Sequence, residues 1–393
     1  MSAQHILEIG TWVIESRLPV SFKIKNSPGL LSANNLDLLE YGNQGKSSRR
    51  MIVIDQNLCH IYLDAVANYF NTHGVEIHVV AIPSEEEDKN LKTLEIVLDE
   101  MERFGLLRRS EPIIAIGGGV LLDIVGMACG LYRRGVPYIR VPTTLVGLVD
   151  ASVGVKTGIN YQERRNRLGG YFPPLASYLD KSFLRTLEPL EISSGLGEIL
   201  KMAVIKDLTL FTLIEAHGKS LLNSKFQNCD HADNVINCAV KGMKEELESN
   251  LWETNLKRAV DFGHSFSPVI EMRSIGKNEY TPLTHGQAVT MDVIFSSVLS
   301  FQRGFLQEVE LMRIAKTAKN MGLPTDHKLF HEPLIILEAL NDTIKHRNGE
   351  QNLPVPNGIG SCIFLNDLSF EDIKVGVLGL TTLNLHLNME GAA

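Results

Sequence analysis

The period of the apolar pattern changes near residue 186. Before it, short apolar runs alternate with helical ones. MIVID (Met51–Asp55) and VEIHVVAI (Val75–Ile82) read as buried strands, with helical spacing over 58–71 between them and over 88–105 after them. Pro112–Ile116 is a further apolar run; a glycine turn, a helical stretch over 120–132 and a fourth strand at Tyr138–Val141 follow. Consecutive parallel strands need long crossovers, so these repeated β-α-β units predict a doubly wound parallel sheet. Residues 143–180 are rich in Gly, Asn, Thr and Pro and read as loops and hairpins. Beyond Pro189 a 3.6-residue period takes over (190–206, 207–223, 231–248, 286–303, 307–321) and strands nearly vanish. The expectation is an α/β domain over 1–185 and a mainly helical domain over 186–393. Nothing between them resembles a long linker, so the cleft where they meet is the default active site.

Composition removes several functions. The 393 residues carry 38 basic and 46 acidic side chains, a net charge of −8, which argues against a generic nucleic-acid or anionic-membrane binder. Five scattered cysteines, odd in number and without CxxC spacing, argue against a disulfide framework or a thiolate zinc site and for a reducing compartment. There is no basic-then-apolar leader, and the most apolar stretches, such as 112–132, carry an Asp or several glycines, so a cytoplasmic enzyme without a membrane span is expected.

Three constellations carry chemistry. Gly117-Gly118-Gly119 follows a strand and opens a helix that reaches Asp123, a place where backbone N–H groups and the helix dipole accept a phosphate. The spacing is not GxGxxG, and a tight strand-to-helix turn reads the same way. Asp55, at a strand end, is either a ribose-hydroxyl acceptor or a helix cap. Glu86 and Lys89 suit an adenosine clamp or an acidic helix start.

The second constellation is basic. Residues 133–167 hold seven basic side chains (Arg133, Arg134, Arg140, Lys156, Arg164, Arg165, Arg167) against Asp150 and Glu163. Interleaved with Thr143, Thr144, Asn160 and Asn166, they suit a phosphorylated, hydroxyl-rich ligand as well as they suit a solvated loop. The third is a potential metal site. His264 and His285 each adjoin glycine, and Glu198 lies upstream in Gly197-Glu198-Ile199-Leu200-Lys201. Two His and one Glu would leave the open position a catalytic zinc needs, though the spacing alone is not diagnostic. Lys201, one helical turn from Glu198, is a proton carrier or half of an ordinary surface ion pair.

In order along the chain, IGGGVLLDIVG, YRRGVPYIRVPTTLVGLVDASVGVKTGIN, RNRLGGYFPP, FLRTL, GLGEILK, DFGHSFSPVIE and THGQAV resemble dehydroquinate synthase and its relatives, the sugar phosphate cyclases. The resemblance runs from about residue 52 to 365. It implies an N-terminal NAD-binding α/β domain, a helical metal-binding domain and a homodimer. Carried over by position, Glu198, His264 and His285 match the metal ligands, with Zn2+ expected and Co2+ as the alternative. Asp55, Asn57, Glu86, Lys89, Gly118, Gly119, Val120, Asp123, Thr143, Thr144, Phe183 and Thr186 match NAD contacts, and so does Arg165, where the family usually has Lys. Arg134, Asp150, Lys156, Asn166, Lys201 and Lys257 match substrate contacts; Arg134, Asp150, Lys156 and Lys201 are the ones expected to act in catalysis.

Departures from dehydroquinate synthase point to the substrate. Its Asn-Phe-Gly-His-x-x-Gly-His reads Asp261-Phe262-Gly263-His264-Ser265-Phe266-Ser267-Pro268 here, so Pro268 replaces a titratable group. Lys257 stands where an Arg helps hold the substrate carboxylate, and an ammonium lacks the planar fork that grips one. Asp261 is expected to repel a carboxylate and to accept from hydroxyls. With the NLWE run and the pairing of Asp261 with His346, beside Arg347, this resembles the branch that cyclises sedoheptulose 7-phosphate; sibling enzymes show Ala and Thr at the positions of Asp261 and His346. The implied reaction is NAD+ oxidation at C5, loss of phosphate from C7, return of the hydride, ring opening and an aldol closure. Another cyclitol synthase, dehydroquinate synthase itself, or a metal-dependent polyol dehydrogenase are the alternatives.

Overall fold

The computed structural model describes residues 12–16, 18–43, 48–162, 164–275 and 279–390; Glu163 of the basic stretch lies outside them. After β1 (Lys23–Asn26) come β2 (Arg49–Asp55), α1 (Gln56–Thr72), β3 (Glu76–Ile82), α2 (Leu91–Phe104), β4 (Ile113–Gly117), α3 (Gly119–Leu131) and β5 (Tyr138–Pro142). The antiparallel hairpin β6 (Lys156–Tyr161) and β7 (Arg164–Tyr171) follows, then β8 (Ala176–Leu179). Six strands make one parallel sheet in the order β1-β8-β5-β4-β2-β3. Alternation along β2 supplies both faces: Met51 and Val53 pack under α2 and α3, Ile52 and Ile54 under α1. Strand order reverses between β2 and β4, and ligands of such sheets sit at the carboxyl ends of the strands at that switch. Asp55 ends β2 there, and Gly117 ends β4.

The second half is built from α4 (Pro189–Lys206), α5 (Leu208–Ser224), α6 (Ala232–Glu248), α7 (Ser267–Ile275), α8 (His285–Gln302), α9 (Glu308–Asn320) and α10 (Pro333–His346). A small hairpin, β9 (Leu353–Pro356) with β10 (Cys362–Leu365), precedes α11 (Phe370–Glu390). Helices α4 and α8 are buried on every side over Ile192–Ile205 and Ala288–Ser300, so they form the axis around which the others pack. Both bear metal-ligand candidates.

Two strands of the main sheet do not follow from periodicity. β1 (KIKN) is a short polar edge strand, and β8 (ASYL) lies inside the stretch read as loops. Each is specified by its neighbour, since four residues carry too little pattern of their own. No helix among the described residues is long and apolar enough to cross a membrane.

Candidate active site

Glu198 projects from the middle of α4, His285 opens α8, and His264 sits in the turn before α7. One ligand atom from each lies within 4.8 Å of the others. His285 Nε2 is 3.0 Å and His264 Nε2 3.7 Å from Glu198 Oε1, while Lys201 Nζ is 2.6 Å from Oε2. Despite these distances, neither oxygen of Glu198 receives an aligned hydrogen bond, although its side chain is only 1% exposed. A buried carboxylate left this way is costly, and a divalent cation facing two imidazoles would satisfy it. The donor set fits a metal.

The charges here are set by one another. Burial pushes Glu198 up, but Lys201, His264 and His285 together hold it well below the usual carboxylate range. Burial, with Lys201 beside it, presses His264 down to about 3. Burial and Arg165 also oppose the charged form of His285, yet Glu271 and Glu198 outweigh them and hold it up at about 9. The Lys201–Glu198 pair is therefore not the surface pair its spacing allows; both side chains are at most 2% exposed. Against burial, Glu198 and Asp150 keep Lys201 charged. Asp150 lies in a π-helical turn, Gly147–Ala151, and burial followed by Glu198 raises its carboxyl.

The turn carrying His264 is held from α8. Asp292 Oδ2 accepts from Phe266 N (2.6 Å) and Ser267 N (2.9 Å), and Ser296 Oγ donates to Oδ1 at 3.0 Å. Sequence reading passed over Asp292, although a lone carboxylate in the apolar run VTMDVIF is a visible signal. Arg140 is likewise not part of an anion site. It is fully buried and donates to Ala151 O (2.9 Å) and Gly154 O (2.6 Å), shaping the loop between Asp150 and Lys156.

At the switch point, Asp55 caps α1, accepting from Asn57 N at 2.9 Å, and Asn57 Nδ2 reaches Glu85 at 3.4 Å. Gly118 is the N-cap of α3, and a Cβ there would lie 3.0 Å from Thr144 Cγ2. Thr143 N bonds Gly117 O (3.0 Å), Thr144 Oγ1 accepts from Gly147 N (3.0 Å), and Val120 is half-buried in the first turn of α3. Lys89, buried, donates to Asp123 Oδ2 and Asn166 Oδ1, both at 2.6 Å. Asn160 bonds Glu86 Oε1 at 2.8 Å. The tip of the β6–β7 hairpin thus binds two of the expected cofactor residues, Glu86 and Lys89, and Asn166 stands on their side of the site. Phe183 is core, edge-on to Tyr62 at 5.0 Å, and Tyr62 OH meets Thr186 Oγ1 at 3.2 Å.

The segment before His264 departs from expectation. Lys257 is exposed, its ammonium 5.0 Å over the Phe364 ring, so it holds nothing at the metal ligands. Its neighbour Arg258 is the buried cation, paired with both Glu253 and Asp261. Arg347 is 3.7 Å from Asp261 and donates to Gln351 O (2.8 Å), Asn352 O (3.2 Å) and Ser265 Oγ (3.3 Å), so it is structural. Asp261 is consequently compensated, and burial notwithstanding, Arg258 and Arg347 hold its carboxyl low. Repulsion of a carboxylate by Asp261 does not survive this pairing. Lys156 pairs with Glu253; His346 lies at the surface, yet the protein packed around its ring, with Lys156, lowers it against the pull of Asp261. Arg134 is exposed at φ +61° in the turn after α3.

An α/β half with a dinucleotide-type switch point, joined to a helical half presenting Glu-His-His beside a buried lysine, defines a class. The chain belongs to the 3-dehydroquinate synthase family: the N-terminal family model matches residues 79–194 and the C-terminal model 195–345. Within it, the chain is 43% identical over 373 residues to the 2-epi-5-epi-valiolone synthase of Streptomyces albus, covering 93% of this chain and 89% of that protein. The demethyl-4-deoxygadusol synthase of Trichormus variabilis is 35% identical over 336 residues, 84% of this chain and 80% of that one. Among solved structures, the 2-epi-5-epi-valiolone synthase ValA of Streptomyces hygroscopicus subsp. jinggangensis 5008, with NAD+ and Zn2+ bound, superposes with a TM-score of 0.89 at 43% identity. It covers 94% of this chain and 99% of its own.

Proposed function

We propose that this chain is a sugar phosphate cyclase, a carbon–oxygen lyase that converts sedoheptulose 7-phosphate into 2-epi-5-epi-valiolone and phosphate. The observation that carries the reading is the buried Glu198–His264–His285 cluster with Lys201 against it, in a chain 43% identical to 2-epi-5-epi-valiolone synthases over nine-tenths of its length. The division near residue 186 then separates a dinucleotide-binding part from a metal-binding part. When bound, NAD+ supplies a reversible hydride acceptor and Zn2+ a Lewis acid for substrate hydroxyls.

The remaining work falls to side chains. Glu198, His264 and His285 would hold the metal. Gly118 and Gly119 leave room for a pyrophosphate at the start of α3, and Asp55 offers its free oxygen to a ribose, which disfavours a 2′-phosphate. Lys156 and Arg134 supply exposed cations for the sugar phosphate. Lys201 holds a proton at the substrate hydroxyls, and Asp150, raised by burial, is suited to exchange one with it. Selection against an acidic substrate rests on guanidinium supply: Arg258 and Arg347 are both engaged, and Lys257 faces away. A missing charge-assisted pair of this kind costs roughly 2–5 kcal/mol, or about 30- to 4000-fold. The cytoplasm and a homodimer complete the reading.

The test is incubation with sedoheptulose 7-phosphate, NAD+ and Zn2+, following phosphate release and assigning the product's stereochemistry by NMR. The expected result is 2-epi-5-epi-valiolone with no net NADH. Preference for the acidic seven-carbon substrate of dehydroquinate synthase overturns the substrate assignment, and stoichiometric NADH would make the chain a dehydrogenase.

A further inference from the structure

Glu271, in the second turn of α7, stands against the back of a metal-ligand candidate. Its side chain is 2% exposed, and its Oε2 lies 3.0 Å from His285 Nδ1, on the opposite edge of the ring from Glu198. The imidazole therefore stands between two carboxylates: Nε2 faces Glu198 at 3.0 Å and Nδ1 faces Glu271. A histidine can present Nε2 to a cation only if its proton sits on Nδ1, and an acceptor at Nδ1 fixes that tautomer and the ring plane.

Two further contacts argue that Glu271 is placed for this. Ser274 Oγ donates to Glu271 O (2.7 Å) and accepts from Leu283 N (3.0 Å), tying this turn of α7 to the chain just before His285. Arg165, from the β6–β7 hairpin, pairs with Glu271 Oε2, lies 2.5 Å from the same His285 Nδ1 and reaches to 3.4 Å from Glu86 Oε1; a guanidinium only donates, so of the groups at Nδ1 Glu271 is the one that can accept its proton and hold the guanidinium to itself. Glu271 is thus the anchor that lets one guanidinium extend from the metal-ligand ring to the loop of Glu86 and Lys89.

We propose that Glu271 is a positioning residue of the metal centre, fixing the tautomer and ring plane of His285 and anchoring Arg165 across to the cofactor side. The inference rests on the reading of Glu198, His264 and His285 as metal ligands. Orienting carboxylates of this kind typically carry 10- to 100-fold in metal affinity, about the change expected here.

The experiment compares the full-length chain with Glu271→Gln, which keeps shape and removes charge. Zn2+ affinity is measured by chelator competition, and Co2+ is loaded as a spectroscopic probe of ligand geometry. The expected result is Zn2+ binding weakened about 10- to 100-fold and an altered Co2+ visible spectrum; metal-free melting also falls because buried Arg165 loses its partner, so the Co2+ spectrum is the readout that a merely structural loss would not move. Should Glu271→Gln not fold, Glu271→Asp, which keeps the charge but withdraws it by one methylene, carries the same comparison. Wild-type affinity with an unchanged Co2+ spectrum overturns the positioning role alone. A wild-type chain that takes up no Zn2+ or Co2+ overturns the metal reading beneath it.

Discussion

Gly197 on α4 and Gly286 on α8 touch backbone to backbone. A Cβ on Gly197 would lie 2.4 Å from Gly286 O, and one on Gly286 would lie 1.7 Å from Ser194 O. Each glycine adjoins a metal-ligand candidate, Glu198 or His285. The absence of two side chains thus sets how near these ligands come. Gly286→Ala is expected to force the helices apart, lower the melting temperature and weaken Zn2+ binding at least tenfold without altering a ligand; overpacking of this sort costs about 1–3 kcal/mol or more. Metal titration with a melting curve checks it, and unchanged Zn2+ affinity would count against a packing-controlled site.

Lys201→Met removes the cation beside a buried carboxylate. Breaking such a pair costs about 3–5 kcal/mol, and that loss is expected in the metal-free protein. Loading Zn2+ should recover much of it, because the ion takes over the compensation of Glu198. Turnover should fall about 100-fold or more even when metal is bound, since the proton carrier is gone. Melting with and without Zn2+, beside steady-state rates, separates the two effects.

Metal uptake should release a proton. In the metal-free protein His285 is held up at about 9, while His264 is pressed to about 3. At pH 7.5 His285 is therefore charged and His264 neutral, and only His285 must lose a proton to become a ligand. Close to one proton per Zn2+ is expected, with affinity rising with pH until about 9 and level above it. Calorimetry in buffers of different ionisation enthalpy reads the proton count. His264→Ala should hold no stoichiometric metal.

Asp292 gives a second pH test, of opposite design. Burial raises its carboxyl, although the backbone N–H groups of Phe266 and Ser267 pull it back. A folded-state value above the unfolded one means its protonated form favours the fold. That contribution is complete below the unfolded value near 4 and is lost as pH rises through the raised one. Asp292→Asn keeps an acceptor for both N–H groups without the charge. The stability of wild type relative to Asn should therefore decline from pH 4 upward, then level. Asp292→Ala leaves two buried donors unpaired and should cost about 2–5 kcal/mol at any pH. Denaturant midpoints at several pH values decide both.

How much of this was legible in the sequence depends on the length of the signal. β2, β4 and the long helices α4 and α8 repeat a period for many residues, and they appear within one to three residues of where the pattern sets them. Glu198, His264 and His285 are recoverable because each lies in a distinctive glycine-containing motif. The roles of Arg140, Arg258 and Arg347 are not, since composition counts a guanidinium without saying whether a backbone carbonyl already holds it. Lys257 and Arg258 show the limit plainly: adjacent residues of one charge, one turned to Phe364 and the other buried on Asp261. Glu271 was within reach, as the final letter of DFGHSFSPVIE, but only the distance to His285 Nδ1 gives it a role.

The β6–β7 hairpin has a consequence for the order in which the enzyme comes into being. All six strands of the main sheet are in hand once residue 179 leaves the ribosome, and the hairpin with them. Its Arg165 then has Glu86 within reach but must wait about a hundred residues for Glu271, and the metal must wait for His285. The dinucleotide half can therefore organise early while the chemistry stays dormant until more than two thirds of the chain is made. A chain that stops short of His285 lacks the third member of the ligand cluster and so cannot assemble the centre on which the chemistry is proposed to turn.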